Sequence, residues 1–269
     1  MIPRFSLLCI QWQPNPEAFE LLGWSIKWYG ITWMLSILST YFLGLMVFRV
    51  TKRSAEDLAL MVQYIFIGGL AGARLGHVLL YDPVYFLQHP AEILMIWHGG
   101  LASHGGMIGG MLALIYFAGN YPKYSIFWLY DHAAICILFL SSFIRFGNLM
   151  NSELEGTTTN VPWAFCFDMI DGLPRHPVVL YESIWYFLLQ LLMISLFLHY
   201  KETKPGLYMA TFFILVFGGR FFIEFFKVPE SEWLFGLSTT QWYNIPFIIA
   251  GVVIINGVLN ARFKYPDYT

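Results

Sequence analysis

Seven apolar runs, each long enough to cross ~30 Å of hydrocarbon as a helix of about 20 residues, organise this chain. They cover 25–48, 57–80, 101–118, 126–146, 177–198, 207–226 and 242–260. Backbone groups inside a bilayer must be satisfied within their own segment, so runs of this length and composition predict helices. Pro83, Pro90, Pro122, Pro174, Pro205 and Pro229 fall between the runs, where helix breakers belong. The expectation is an all-α, polytopic membrane protein with seven transmembrane helices, forming one integral membrane domain over 1–269.

Composition agrees. Of 269 residues, 58% are hydrophobic and 12% charged, about half the charge of a soluble domain. A net charge of −2 gives no sign of a nucleic-acid partner. Cys9, Cys136 and Cys166 are far apart and in no C-x-x-C pair, so they read as isolated thiols rather than as a disulfide or metal site. The stretch 1–16 is too polar to read as a signal peptide.

Basic residues orient the helices. Arg49, Lys52, Arg53, Lys123, Lys201, Lys204, Arg262 and Lys264 fall on one side, and Arg4, Lys27, Arg175 and Lys227 on the other. Eight against four places the N-terminus outside and the C-terminus in the cytoplasm. The loop at about 149–176 then becomes a small external cap, and 81–97 an interfacial stretch. Gly68, Gly72 and Gly76 recur every four residues, and Gly105, Gly106, Gly109 and Gly110 follow on the next long run. Such small-residue faces predict close helix packing.

Charge inside the runs is the informative remainder. A charged side chain at the bilayer centre costs on the order of +3 kcal/mol, so each one is a functional candidate. Tyr29, Arg74, His104, Arg145, Glu182 and Arg220 all fall in the outer half of the predicted helices, while Asp131 alone lies toward the inside. Arg220 and Glu224, four apart, share a helix face and are expected to pair. Arg145, Asn148 and Asn151 follow at intervals of three and would present a guanidinium and two amides along one side. Arginine suits bidentate binding of phosphate. Three outward arginines therefore point to an anionic lipid headgroup. A transporter or channel is the rival reading. It would need polar groups at both depths or broken helices at the midplane, whereas this cluster is one-sided.

The segment IRFGNLMNSELEG at 144–156 resembles the signature of the bacterial phosphatidylglycerol–prolipoprotein diacylglyceryl transferases, close to G-R-x-G-N-x-x-N-x-E-x-x-G. Five further segments resemble the same family in the same order: Trp28-Tyr29-Gly30, GARLG at 72–76, SHGG at 103–106, RHPVVLYE at 175–182 and GRFFIEFF at 219–226. The chain departs at Ile144, where the family usually has Gly, and at Val178-Val179, often Ser-Gln. The resemblance implies transfer of the diacylglyceryl group of phosphatidylglycerol to the lipobox cysteine of a preprolipoprotein. A thioether forms and glycerol phosphate leaves.

On that reading Arg145 and Arg220 stabilise the leaving phosphate, and His104 or Tyr29 takes the thiol proton. Arg74, Asn148, Asn151, Glu153, Gly156, Glu182 and Glu224 would hold or orient the headgroup and its arginines. The implied partners are phosphatidylglycerol, the signal peptide with its lipobox, and membrane lipid, with no metal and no cofactor. The implied location is the bacterial cytoplasmic (inner) membrane, with the active site facing the periplasm.

Overall fold

A computed structural model describes residues 9–153, 155–200, 204–228 and 235–260, the side chains of Ser103 and His104 excepted. The protein is mostly helical and falls into two compact units, one built from 9–44 and 131–260, the other from 45–130. Among the described residues six helices are long and apolar enough to span a membrane, and a shorter apolar helix covers Gly105–Asn120.

The first unit opens with three short strands, β1 (Ile10–Trp12), β2 (Glu17–Leu21) and β3 (Trp24–Lys27). Strands β2 and β3 form a hairpin whose turn residues, Leu22 and Gly23, both have positive φ. Two such residues fit the twist that a two-residue hairpin turn requires. Helix α1 (Trp28–Val50) follows and runs across the boundary between the units.

The second unit contains α2 (Ala55–Leu80), α3 (Pro83–Gln88) and α4 (Ser103–Asn120), with two 3-10 turns between α3 and α4. Ser54 caps α2 by accepting a hydrogen bond from the Asp57 amide. Helices α2 and α4 meet backbone to backbone. A Cβ on Gly72 would lie 2.7 Å from the Gly109 Cα and would collide with the Gly105 carbonyl. The glycine pattern therefore forms the close seam expected of it. At the far end of α2, Asp57 accepts from Lys123 (2.6 Å) and from the Tyr124 hydroxyl (2.7 Å).

The chain returns to the first unit through α5 (Ile126–Met150), then β4 (Phe165–Phe167), β5 (Pro174–Arg175) and α6 (Val178–Tyr200). Buried Gln190 on α6 bridges to α5, donating to the Ile135 carbonyl (2.6 Å) and accepting from the Phe139 amide (3.0 Å). The next span, Leu207–Phe226, is not uniform. It runs as α7 (Leu207–Phe212), a π-helical turn (Phe213–Phe217), α8 (Gly218–Ile223) and a 3-10 turn (Glu224–Phe226). Buried Asp131 accepts from the Gly206 and Met209 amides and so caps the start of this span. Helix α9 (Thr239–Leu259) begins with a reciprocal cap between Ser238 and Gln241.

The mostly helical protein agrees with the all-α class; β1, β4 and β5 form a small sheet in addition to the β2–β3 hairpin. One expectation is corrected here: not all the cysteines are isolated. Cys9 and Cys166 form a disulfide across 157 residues of sequence, and Cys136 is free. Each strand is too short to register as a period in the sequence, and a pairing so distant leaves no mark in local spacing.

Candidate active site

The signature segment folds back on itself at the end of α5. The helix stops at Met150, and Ser152 takes a left-handed conformation (φ 54°) that reverses the chain. The Glu153 amide returns to the Asn148 carbonyl (3.0 Å), which brings the Glu153 carboxylate over the preceding turn. There it accepts from Asn148 Nδ2 at 2.6 Å and from Asn151 Nδ2 at 3.0 Å. The two amides and Glu153 thus form one clamp. The Asn148 Oδ1 is buried and has no hydrogen-bond partner among the described residues. Gly147 lets α1 approach this turn: a Cβ there would lie 3.0 Å from the Tyr29 ring and would collide with the Thr32 hydroxyl. Tyr29 is thereby placed beside the signature.

Glu182, only 1% exposed, is the centre of the charge cluster. Its Oε2 lies 2.8 Å from Arg145 Nε, and its Oε1 accepts from Lys227 Nζ at 2.9 Å. Lys227 also lies 3.4 Å from Glu224 Oε2. Arg220 interacts electrostatically with Glu182, Glu224 and buried Tyr186, yet among the described residues its own buried Nε has no hydrogen-bond partner. Three cations, Arg145, Arg220 and Lys227, face two carboxylates, Glu182 and Glu224, leaving one positive charge in excess. A buried charge stays stable only when paired and hydrogen-bonded. The excess positive charge and the orphaned guanidinium nitrogen therefore suit an anion.

The expected Arg220–Glu224 attraction is present, without a direct ion pair among the described residues. Glu224 sits in the 3-10 turn, where the α-helical i,i+4 register no longer holds, and its partners are Lys227 and the Ser238 hydroxyl (3.2 Å). Arg220 is set instead by the packing of its helix. The Trp185 indole donates to the Leu215 carbonyl (3.1 Å), a group in the π-helical turn, and fills the space that a side chain on Gly219 would need.

Lys227 is the member of this cluster that sequence reasoning left among the loop charges. Its spacing three after Glu224 was the available signal. Its backbone is fixed by Gly156, which bridges to it as an isolated antiparallel pair. A side chain on Gly156 would run into the His176 carbonyl, so this glycine serves close backbone approach. Arg175 donates to the Gly156 carbonyl (2.8 Å) and grips Asp171 through two nitrogens. That grip holds the Asp171 carboxyl below the usual carboxylate range. Burial pushes the neighbouring His176 below the ordinary histidine value.

The remaining two candidates belong to the second unit. Arg74, 5% exposed, spends four N–H groups on main-chain carbonyls, those of Glu92, Ile93, Gly99 and Gly100, at 2.5–3.0 Å. Its guanidinium also lies 5.0 Å from the Phe86 ring centroid. With five donors in all, it is committed to holding the 92–100 loop rather than free for a headgroup. His104 stands in the first turn of α4, and its side chain lies outside the described residues. Among the described residues no group of three His, Cys, Asp or Glu side chains is placed to share a metal ion.

The comparisons with known proteins converge. The family model of prolipoprotein diacylglyceryl transferase matches residues 16–256. The phosphatidylglycerol–prolipoprotein diacylglyceryl transferase of Tolumonas auensis is 42% identical, over 94% of this chain and 98% of the relative. The proteins of the same name from Chloroherpeton thalassium and Bacteroides fragilis are 41% and 38% identical, each over 91% of this chain and 93% and 94% of the relative. A chain that carries six motifs in order and aligns along nearly its whole length with these proteins belongs to the prolipoprotein diacylglyceryl transferase family.

Proposed function

We propose that this protein transfers the diacylglyceryl group of phosphatidylglycerol to the lipobox cysteine of a preprolipoprotein. The sulfur–carbon bond forms as the carbon–oxygen bond to phosphate breaks, and glycerol phosphate carries the charge away. One observation supports this above the others: a buried cluster with excess positive charge in which, among the described residues, Arg220 Nε and Asn148 Oδ1 have no hydrogen-bond partner. The first is a donor suited to a phosphate oxygen, the second an acceptor suited to a glycerol hydroxyl. A phosphoglycerol headgroup offers both.

In this reading Arg145 and Arg220 stabilise the charge that develops on the leaving phosphate, as preorganised donors do in a dry site. Lys227 and Glu182 keep the two guanidinium groups in place. Asn148, Asn151 and Glu153 bind the headgroup, and Arg74 supports the loop it anchors. A free thiol has a pKa near ~8.5, so the attacking cysteine needs a base, assigned to His104 or Tyr29 by residue type.

The protein is multi-pass, and we assign it seven spans, with α4 as the third, in a single membrane domain. The N-terminus lies outside, 149–176 caps the site, and the membrane is the cytoplasmic one. The Cys9–Cys166 disulfide supports this orientation independently of the basic residues, since disulfides persist in oxidising compartments. The test is direct. Purified, folded protein in phosphatidylglycerol micelles should convert a lipobox peptide to its thioether-linked diacylglyceryl form, detected by mass. No product from such a preparation would overturn the assignment.

A further inference from the structure

The N-terminal strand and the disulfide have no part in the chemistry above, yet both bear on the signature turn. Strand β1 runs parallel to β4, with Gln11 opposite Cys166 and Trp12 opposite Phe167. The Cys9–Cys166 bond ties the start of that pairing, and Cys166 is 1% exposed. A three-residue strand forms too few hydrogen bonds to hold its place alone. At its other end the Trp12 indole donates to the Leu149 carbonyl at 3.0 Å. This carbonyl belongs to the last turn of α5, where it also accepts from the Ser152 amide (3.0 Å) of the turn that reverses the chain.

The Trp12 ring also packs 5.1 Å from Phe165, against a buried cluster of Leu149, Phe165, Phe167 and Val179. Leu149 lies between Asn148 and Asn151 in sequence, and Val179 is three residues before Glu182. The strand thus bonds to α5 and packs on a cluster shared with α6, two of the elements that carry the site, each within one turn of a site residue.

We infer that the Cys9–Cys166 disulfide and Trp12 act together as a brace that positions the Asn148–Asn151–Glu153 clamp, and that headgroup binding therefore depends on the oxidation state of these two cysteines. The inference rests on the reading of the clamp as a headgroup ligand. Trp12 is a positioning residue, acting through the Leu149 carbonyl. Reduction by a small dithiol breaks the sulfur–sulfur bond. Two electrons and two protons pass to the cysteines, and the dithiol closes to its own disulfide. Strand β1 then keeps only its short ladder, and Trp12 loses its fixed place.

The experiment uses the full chain in detergent, already folded. A thiol count on the denatured protein should find one reactive thiol before dithiothreitol and three after it. Binding of a short-chain phosphatidylglycerol is measured directly, alongside KM and kcat for transfer to a lipobox peptide. Trp12→Phe keeps the ring and deletes the N–H, and should weaken binding about fivefold, the worth of one hydrogen bond. Reducing the wild-type protein should weaken binding at least as much, with the loss in KM rather than kcat. Reducing the Trp12→Phe protein should then add less than either change alone, because both act on one device.

Three thiols in the unreduced chain, or binding unmoved by both reduction and Trp12→Phe, would overturn the brace while leaving the transferase assignment standing. Oxidation-dependent binding without any thioether product would do the reverse. A wild-type chain that does not bind phosphatidylglycerol would overturn the clamp and the brace together.

Discussion

The α2–α4 seam and the Glu182 cluster are both tight, but they are built from opposite materials. The seam is made by the absence of side chains: Gly72, Gly105 and Gly109 let two backbones touch. Its partners recur at regular short intervals on two neighbouring helices. The cluster is made of side chains alone, drawn from α5, α6 and the end of the Leu207–Phe226 span. It places Arg145, Glu182, Arg220, Glu224 and Lys227 together although 82 positions separate the first from the last. The seam therefore serves assembly, and the cluster is the part proposed above to serve chemistry. Substitutions in the two should fail in different ways.

Arg145→Ala should lose at least about a hundredfold in kcat, the usual cost of removing a preorganised donor from a developing charge. The protein should still elute as a folded species on gel filtration, and turnover near that of wild type would refute the separation drawn above. Gly72→Leu should do the opposite. Overpacking of a closed contact costs about 1–3 kcal/mol or more, so the thermal midpoint should fall, with residual activity scaling with the folded fraction. A stable Gly72→Leu protein with a catalytic defect would blur the comparison.

Lys227→Met probes whether the cluster works as one unit. It leaves Glu182 with Arg145 as its remaining close partner and makes the cluster's five-group charge balance neutral. A drop of about tenfold in the affinity for phosphatidylglycerol is expected, equivalent to about 1.4 kcal/mol. Trp185→Phe keeps most of the packing on Gly219 but removes the indole donor to the Leu215 carbonyl, which keeps the Gly218 amide. Activity should fall only about threefold to fivefold, since one neutral hydrogen bond is worth about 1 kcal/mol.

The smallest effect concerns His176. Its folded-state pKa is lowered by burial, so the unfolded chain takes up a proton first as the pH falls. Stability should decline as the pH drops through about 6.5, the unfolded value, and His176→Gln should remove that slope in thermal unfolding.

Much of the helical layout was legible beforehand because the bilayer imposes length and polarity on every span. The apolar runs at 57–80 and 207–226 coincide with α2 and with Leu207–Phe226 to within two residues. The glycine seam was legible for the same reason, a short period read along one helix. Arg145, Asn148 and Asn151 were found from a spacing of three, although Glu153, the shared partner of the two amides, is reached only through the left-handed turn at Ser152.

Two features escaped. Arg220 and Glu224 satisfy the helical rule on paper, but a change of helix type at Glu224 sends that carboxylate to Ser238 and Lys227. Cys9 and Cys166 are joined through a parallel pairing of β1 and β4, which no local pattern announces.

The sequence by itself determined that this chain crosses a membrane repeatedly, and it carries the six motifs of its family in order. Periodicity, apolar length and motif order are properties of adjacent residues, and they survive in one dimension. The tertiary structure decided which charge meets which. It committed Arg74 to a loop, brought Lys227 to Glu182, and tied the N-terminal strand to β4 by a disulfide. Those outcomes depend on contacts between residues far apart in the chain, where burial and charge balance act only after the helices have packed.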